Sequence, residues 1–289
     1  MAVALAVDIG GTKLAAARVD EAGRLTGATA VPTPPSPDPE VLWAALADLV
    51  AGVARGDEVV CGAGTGGPMT AGGEEVSPLN IPGWRGFPLR RRLADHTGLP
   101  VAVDNDAKAL ARGEGWVGAA QGVPDFLAMV VSTGVGGGLV VDGRLLHGSA
   151  GNAGHIGHVI VEPGGRPCGC GARGCLEAEA SGTGIRAATG RPPADAPPAL
   201  VRHAGTCVGR AVASVANLCD LRLALVAGSV ALGYGDPFFA AAQEELDRRC
   251  RLDFSRGAVI RRGGLGPDGP LIGAAAVGWR SVGYDVGPR

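Results

Sequence analysis

Residues 3–25 read VALAVDIGGTKLAAARVDEAGRL. The pattern predicts an apolar strand, a tight loop at its two adjacent glycines, and a second strand that ends in a turn at residues 21–23. Residues 126–148, FLAMVVSTGVGGGLVVDGRLLHG, repeat this plan, with the glycine-rich run 134–138 between two apolar segments. The chain therefore contains two copies of one strand–loop–strand unit.

Both glycine loops lead into strands, and this separates them from two common phosphate-binding motifs. A Rossmann or Walker loop runs from a strand into a helix, and the chain has no G-x-x-x-x-G-K-[ST] sequence. Glycine turns between strands instead expose backbone N–H groups that can bind phosphate. Two such turns favour a two-domain protein that holds a nucleotide from two sides.

The rest of the chain alternates helical and strand patterns, which is typical of an α/β protein. Three arginines, Arg90 to Arg92, are predicted to lie on a solvated helix face, and residues 64–86 are predicted to be loop. The further predicted helices cover about 40–55, 107–116 and 271–279, the predicted strands cover 58–63 and 100–103, and a helix followed by a strand covers 199–227.

Length, charge and composition exclude several classes of protein. At 289 residues the chain is long enough for two domains. Its net charge of −2, without a basic field, argues against nucleic acid as a partner. We find no signal peptide and no apolar run long enough to span a membrane, so we expect a cytoplasmic protein. Fifty glycines predict many tight turns and close backbone approaches.

Only two of the 26 basic residues are lysines, Lys13 and Lys108. A coding bias toward arginine would explain the imbalance. Against such a bias, a lysine within a glycine loop is informative, because its compact ammonium group is a good phosphate ligand. Chance retention is the alternative explanation.

Residues 151–177, GNAGHIGHVIVEPGGRPCGCGARGCLE, combine two histidines, three cysteines and a glutamate. One imidazole and three thiolates form the ligand set of a closed, tetrahedral, structural zinc site. A disulfide between Cys168 and Cys170 would be strained, and an odd, clustered set of cysteines favours metal binding in a reducing compartment. His155 and Glu177 remain available to face another group. The predicted zinc ligands are His158, Cys168, Cys170 and Cys175.

The segment DIGGTK at residues 8–13 places a carboxylate at a strand end, followed by two glycines, a hydroxyl and an ammonium group. The glycines let the backbone approach phosphate, the next two side chains can donate to it, and the carboxylate can hold Mg²⁺ directly or through water. An ordinary hairpin turn is the alternative. The residues concerned are Asp8, Gly10, Gly11, Thr12 and Lys13.

Asn105 and Asp106 directly follow a predicted strand, where side chains can project into a cleft. Asp106 could accept a proton from a substrate hydroxyl while Asn105 holds another hydroxyl. The same pair is common in turns and at helix N-caps. The two interpretations both stay open at this point.

Five motifs, in this order, resemble the ROK family of sugar kinases and repressors, and the match covers nearly the whole chain. The resemblance implies an actin/hexokinase-like (ribonuclease H-like) α/β fold of two domains around a cleft. We expect residues 1–117, joined by the C-terminal helix 272–289, to form one domain and residues 118–271 the other. The motifs are DIGGTK, NDA at 105–107, STGVGGG at 132–138, GNAGHIGH at 151–158 and CGCGARGCLEAEASG at 168–182.

The resemblance also implies a kinase that uses ATP, Mg²⁺, a hexose and a structural Zn²⁺, and that forms a homodimer or homotetramer. It implies that Asp106 is the base that deprotonates the sugar 6-hydroxyl. The implied sugar-binding residues are Gly67, Asn80, Asn105, Asp106, His155, His158 and Glu177. The implied nucleotide-binding residues are Asp8, Gly10, Gly11, Thr12, Lys13, Thr133, Gly134, Gly228 and Ser229.

Repressors of this family carry a DNA-binding module before the first motif. Here that motif begins at Asp8, so we expect a kinase and not a transcriptional regulator. A sensor that binds sugar and ATP without cleaving ATP is the non-enzyme alternative. The presence of Asp8, Lys13 and Asp106 together argues against it.

Most sugar kinases of the family have glutamate at the position of His155, giving E-x-G-H where this chain reads HIGH. A neutral imidazole both donates and accepts, whereas an ionised glutamate only accepts, and a donor suits the carbonyl oxygen of an N-acetyl group. Three segments together most resemble the bacterial N-acetylmannosamine kinases of this family: LAVDIGGTKLAAA at residues 5–17, PTP at 32–34 and HIGH at 155–158. The expected reaction is 6-phosphorylation of N-acetylmannosamine, with glucose as the alternative substrate and a neutral replacement at residue 155 as the alternative explanation.

Overall fold

The computed structural model describes all 289 residues and divides them into two compact units. The first unit comprises residues 1–122, 145–153 and 264–289, and the second comprises residues 123–144 and 154–263. The sequence predicted domain boundaries at residues 117 and 271. In the structure the chain crosses between the units near residues 122 and 264, and it also returns to the first unit for residues 145–153.

The first unit is built on a five-stranded sheet. Its strands are β1 (Val3–Ile9), β2 (Lys13–Asp20), β3 (Leu25–Pro32), β4 (Glu58–Thr65) and β5 (Val101–Asn105). In the order β3-β2-β1-β4-β5, the first three strands are antiparallel neighbours and the last two run parallel to β1. The helices of this unit are α1 (Pro39–Val53), α2 (Leu89–Thr97), α3 (Asp106–Val117) and α9 (Gly269–Ser281).

The central strand β1 shows why both faces of this sheet are covered. Its residues point alternately to opposite faces. Leu5 and Val7 belong to a core cluster with the buried residues of α1 and α2, whereas Ala4 and Ala6 belong to a second cluster with α9. Large side chains therefore fill one face, and small side chains let α9 approach the other.

Close packing between β4 and α9 depends on glycine. A Cβ atom at Gly62 would overlap the carbonyl oxygen of Ala274 and would lie 2.7 Å from the backbone nitrogen of Gly278. Gly278 meets the backbone of Gly62 in the same way. The backbones of the helix and the strand are thus in direct contact, with no space for a side chain between them.

The second unit carries another five-stranded sheet, in the order β10-β9-β6-β7-β8. Its strands are β6 (Phe126–Val131), β7 (Val135–Val141), β8 (Arg144–Leu145, where the chain passes between the units), β9 (Leu223–Ala227) and β10 (Val259–Arg262). β6 and β7 form an antiparallel hairpin, and β9 and β10 run parallel to β6. The helices are α4 (Leu176–Ala180), α5 (Gly182–Thr189), α6 (Pro198–Cys219), α7 (Ser229–Tyr234) and α8 (Asp236–Arg249).

The core of the second unit lies between its sheet and two long helices. Leu127 and Met129 of β6 are fully buried in one cluster with the apolar faces of α6 and α8. The two helices approach closely because Gly205 of α6 would, with a Cβ atom, overlap the carbonyl oxygen of Phe238. Helices α6 and α8 therefore pack together as a pair within this core.

The predicted strand–loop–strand units are confirmed as β1–β2 and β6–β7, and each predicted helix and strand is present within a few residues. The segment 64–86 differs slightly, because β4 continues to Thr65 and a 3-10 turn lies at Ala71–Gly73. Six elements have no counterpart in the predictions, namely strands β3 and β10 and helices α4, α5, α7 and α8. No helix of the structure is both long enough and apolar enough to cross a membrane.

We predict that Gly62→Ala destabilises the protein by about 1–3 kcal/mol, because the added methyl group must push α9 away from β4. Urea denaturation measures the change. Gly52→Ala is the matched control: Gly52 lies in α1 with open space around it, so alanine there should be neutral or stabilising by up to about 1 kcal/mol. Equal stability of the two variants would contradict the packing argument.

Candidate functional site

The first glycine loop is a tight turn between β1 and β2. The backbone N–H of Gly10 donates to the carbonyl oxygen of Lys13 at 3.0 Å. Gly11 lies against Asn80, and a Cβ atom at Gly11 would be 2.9–3.0 Å from the backbone oxygen and side chain of that residue. Thr12 and Lys13 are exposed. The loop therefore offers a hydroxyl, an ammonium group and accessible backbone beside the loop that contains Asn80.

Sheet register brings Asp8 and Asp106 close together. Ile9 of β1 is paired with Thr65 of β4, which is paired in turn with Asn105 of β5, so the three strands end at one edge of the sheet. Asp8 and Asp106 therefore both lie at this edge. Between them Gly64 has no side chain, and a Cβ atom there would be 3.6 Å from the Cα atom of Asp106.

The charge of Asp106 acts on the Asp8 carboxyl group. Burial, followed by the negative charge of Asp106, raises the pKa of Asp8 to about 7, and the positive charge of Lys13 partly opposes this shift. A cation that binds beside such a carboxyl group stabilises its ionised form. The edge of the sheet thus combines two acidic groups with one lysine, an arrangement that suits a divalent metal with phosphate.

Asn105 is the N-cap of α3, and Asp106 is the first helical residue. The Asn105 Oδ1 atom accepts hydrogen bonds from the backbone N–H groups of Ala107 and Lys108, at 3.1 and 3.3 Å. The Asp106 carboxylate accepts from the N–H of Ala107 at 2.8 Å. The capping interpretation of this pair is therefore confirmed. A helix N-terminus also favours the ionised form of a carboxylate, which a general base needs.

The segment around Gly67 is held by backbone and amide contacts within the first unit. The carbonyl oxygen of Gly67 accepts from the N–H of Leu79 at 3.2 Å, directly before Asn80. Asn152 pairs with the backbone of Met69 in both directions, accepting at 3.3 Å and donating at 3.2 Å. Gly67 and Asn80 are thus neighbours, as the implied sugar site requires.

In the second unit, Glu177 lies beneath the second glycine loop. Its Oε2 atom accepts a hydrogen bond from the N–H of Val135 at 2.9 Å. A Cβ atom at Gly134 would lie 2.7 Å from the same oxygen, so only glycine fits there without moving the carboxylate. Glu177, a residue assigned by resemblance to the sugar, therefore also shapes the loop that contains Thr133 and Gly134.

The other predicted nucleotide residues of the second unit lie beside the same loop. Gly228, between β9 and α7, has a φ of +100°, and a Cβ atom there would overlap the carbonyl oxygen of Val131. The hydroxyl oxygens of Ser229 and Ser132 are 2.9 Å apart. Thr183 at the start of α5 donates to the carbonyl oxygen of Thr133 from both its hydroxyl and its N–H group, at 2.9 and 3.1 Å.

The four predicted metal ligands converge. The potential ligand atoms of the cluster lie within 4.8 Å of one another. The Cys168 Sγ atom is 3.8 Å from the His158 Nδ1 atom, and the Cys170 and Cys175 Sγ atoms are 3.7 Å apart. All seven cysteines are free thiols. Burial and the neighbouring thiols raise the pKa of Cys175 to about 12, so a fully ionised cluster needs a cation among its sulfur atoms.

The motifs that the fold brings to these positions match a known family model. The model of the ROK family matches residues 4–279 of the chain. The chain belongs to the ROK family. An N-acetylmannosamine kinase from Citrobacter koseri is 42% identical to it over 246 residues, which cover 80% of this chain and 84% of the relative.

Solved ROK structures share the fold across almost the whole chain. A ROK hexokinase from Thermus thermophilus is 37% identical, with a TM-score of 0.81 over 97% of this chain and 99% of that one. A ROK glucokinase from Streptomyces griseus, solved in complex with glucose and AMPPNP, is 32% identical, with a TM-score of 0.85 over 96% of this chain and 99% of that one. The actin/hexokinase-like fold class predicted from the sequence is therefore confirmed.

Sequence reasoning missed three residues that support these loops, namely Lys108, Asn152 and Thr183. They act on backbone atoms or on neighbouring side chains within their own units. Asn152 lies within the motif GNAGHIGH, and Lys108 and Thr183 directly follow two other motifs, but the sequence assigned no role to these three positions. For Thr183 a weak signal exists, because Ser181 precedes it as a helix N-cap that accepts from the N–H of Gly184. For Asn152 nothing in the sequence indicated its partner Met69, which is 83 residues away.

We predict that Asp106→Asn lowers the pKa of Asp8 from about 7, because one source of repulsion is removed, but leaves it above 3.8, because burial remains. Carboxyl ¹³C titration in Mg²⁺-free buffer measures it. Lys13→Met is the opposite control and should raise the pKa further, since it removes the favourable charge. An Asp8 pKa that is the same in both variants would show that the three groups are not coupled.

Proposed function

We propose that this ROK protein is an ATP-dependent sugar kinase that phosphorylates the 6-hydroxyl group of a hexose, with N-acetylmannosamine as its preferred acceptor. The observation that carries the proposal is the position of Asp106 beside the phosphate-loop carboxylate Asp8. A base and a phosphate loop at one sheet edge suit phosphoryl transfer to a hydroxyl group.

Asp106 acts as the general base in the proposed mechanism. Its carboxylate lies at the first turn of α3, where backbone N–H groups stabilise negative charge. It accepts the proton of the sugar 6-hydroxyl as the oxygen attacks the γ-phosphorus of ATP. The bond between that phosphorus and the β-phosphate oxygen breaks, and ADP is the leaving group. In this proposal Asn105, Gly67 and Asn80 hold other sugar hydroxyls in the first unit.

In the first unit, the glycine loop with Thr12 and Lys13 is assigned to the phosphates of ATP through its backbone N–H groups. In the second unit, the loop with Thr133 and Gly134 is assigned to the nucleotide in the same way. Asp8 would hold Mg²⁺, which supplies positive charge to the phosphate oxygens when bound. Gly228 and Ser229 lie next to the second loop and are assigned to the adenosine. Glu177 fixes the conformation of this loop, because its carboxylate accepts from the N–H of Val135 and leaves room only for glycine at residue 134.

The preference for N-acetylmannosamine rests on His155 and on the related N-acetylmannosamine kinases. His155 and His158 are half-buried and near-parallel, with ring centroids 6.0 Å apart. A neutral His155 can donate to the N-acetyl carbonyl oxygen while accepting on its other nitrogen. Glucose is the second candidate, because the solved Streptomyces griseus relative is a glucokinase in complex with glucose.

We assign a structural zinc ion to His158, Cys168, Cys170 and Cys175. Tetrahedral coordination with Zn–S bonds of about 2.3 Å and a Zn–N bond of about 2.05 Å gives ligand separations of about 3.8 Å and about 3.6 Å. The observed separations of 3.7 Å between sulfurs and 3.8 Å between sulfur and nitrogen fit this geometry. The zinc ion would fix the segment that carries His155 and Glu177.

An ADP-release assay across N-acetylmannosamine, N-acetylglucosamine, glucose and mannose tests the proposed function. We expect the highest kcat/KM for N-acetylmannosamine. Asp106→Asn should lower kcat by about 10²–10⁴-fold while sugar affinity, measured by calorimetry, changes little. No ADP release with any hexose would favour the sugar sensor, and a clear preference for glucose would refute the substrate assignment.

His155→Glu should shift the preference toward glucose, because the variant loses its donor to the N-acetyl group. We expect the ratio of kcat/KM for N-acetylmannosamine over glucose to fall by about 10–100-fold. His96→Gln in α2 is the control. His96 is exposed, its Nε2 atom lies 3.1 Å from the carbonyl oxygen of Ala47 and its ring packs against Trp43, and none of these residues is assigned to the sugar. An unchanged ratio in His155→Glu would mean that the histidine is a neutral replacement.

Elemental analysis should find about one zinc ion per chain, consistent with a single four-ligand cluster. Cys168→Ser and Cys175→Ser should lose the metal together with sugar affinity, and a chelator should lower the Tm of the wild-type protein. Cys219→Ser, which lies outside the cluster, should retain zinc. Purified wild-type protein without zinc would remove this assignment.

A further inference from the structure

Lys108 is almost fully buried although it carries a charge. Its exposed fraction is 2%, and it lies in the first turn of α3, two residues after Asp106. A buried ammonium group is unfavourable unless its charge is paired and its donors are satisfied. The arrangement around Lys108 meets both conditions.

Three acceptors surround the ammonium group. The Lys108 Nζ atom lies 2.6 Å from Asp104 Oδ1, 3.1 Å from the carbonyl oxygen of Gly151 and 3.1 Å from His147 Nδ1. An ammonium group has three donors and no acceptor, so His147 accepts through Nδ1. Burial and the positive charge of Lys108 lower the pKa of His147, which keeps the imidazole neutral for this role. Every donor of Lys108 is used.

These contacts explain the rare lysine in an arginine-rich chain. The three acceptors are arranged around a single nitrogen atom, whereas an arginine presents its donors in a flat, wider fork. Two of the acceptors, those of His147 and Gly151, belong to residues 145–153, which return to the first unit between two crossings of the chain. Lys108 therefore attaches this returning segment to the helix that carries Asp106.

The returning segment continues to the loop assigned to the sugar. Asn152 follows Gly151 directly and forms two hydrogen bonds with the backbone of Met69. Met69 is two residues from Gly67, and Pro68 between them accepts from the N–H of Ser77 at 2.8 Å. A continuous series of contacts thus connects the Lys108 ammonium group to the Gly67 segment.

We propose that Lys108 is a positioning residue for sugar binding, which holds Gly151 and His147 so that Asn152 fixes Met69 and the adjoining Gly67. The inference rests on the proposed function, because Gly67 is assigned there to the sugar. It adds Lys108 and Asn152 to the residues on which sugar affinity depends. The hydrogen bonds of Lys108 and Asn152 involve none of the nucleotide-loop residues 10–13.

The primary test compares Lys108→Met and Asn152→Ala with wild-type protein. Both variants should raise the KM for N-acetylmannosamine by about ten- to a hundredfold, because the Gly67 segment is misplaced. The KM for ATP should stay within about twofold of the wild-type value, since only sugar binding is altered. Lys108→Arg should fail to restore sugar affinity. An unchanged sugar KM in Asn152→Ala, or a fall in kcat alone in Lys108→Met, would overturn the proposal.

A double-variant comparison tests whether the two residues act through one route. Lys108→Met combined with Asn152→Ala should have a sugar KM close to that of the worse single variant. Independent effects would multiply and would contradict the proposed connection.

A second combined variant separates folding from positioning. Lys108→Met leaves the Asp104 charge buried without its partner, so Asp104→Asn is combined with Lys108→Met to recover folding. The combined variant should regain Tm but not sugar affinity. Recovery of both would reduce Lys108 to a stabilising role and overturn the proposal.

Hydrogen exchange separates this inference from the proposed function. In both Lys108→Met and Asn152→Ala, the Met69 amide, which donates to Asn152, should exchange faster than in wild-type protein without any substrate present. Wild-type protein that phosphorylates no hexose would refute the proposed function. Unchanged Met69 exchange in Lys108→Met would refute the positioning role.

Discussion

Direct backbone contact between α9 and its neighbours is the constraint on which the first unit depends. Gly62 and Gly278 allow α9 to lie on β4 without an intervening side chain. On the same helix, Gly273 meets the carbonyl group of Ala109 in α3, where a Cβ atom would lie 2.5 Å from the oxygen. Because α3 begins at Asp106, this packing fixes the position of the proposed base relative to the sheet edge that carries Asp8. Glycine thus serves helix packing as well as the two glycine loops.

Charge in the first unit is arranged around this packing. Burial, and then the negative charge of Asp106 at the same sheet edge, raise the pKa of Asp8 to about 7. Asp104, at the same edge, is instead paired with Lys108 at 2.6 Å. Asp104 therefore supports the structure as part of an ion pair, whereas Asp8 and Asp106 place two acidic groups close together at the sheet edge. Such a pair is suited to metal-assisted phosphoryl transfer, because cations that arrive with the substrate relieve the repulsion.

The second unit shows how one residue can have two roles. Glu177 accepts from the N–H of Val135 and so shapes the glycine loop, and it also lies in the first turn of α4, the helix that directly follows Cys175. His158 is likewise both a member of the cysteine cluster and a neighbour of His155. The proposed zinc ligands, the second glycine loop and the residues assigned to the sugar in this unit are consequently linked through a short stretch of chain.

The sequence by itself determined the two glycine hairpins, the cysteine cluster, the ROK family and the fold class. These features depend on local chemistry: alternating apolar residues predict strands, paired glycines predict turns, and closely spaced cysteines predict a shared ligand site. Only the tertiary structure decided that Asp8 lies beside Asp106, that Lys108 is buried among three acceptors and that Asn152 holds Met69. Each of these contacts joins residues from different strands, helices or loops. Pairing register and helix packing set such distances, and no local sequence pattern encodes them.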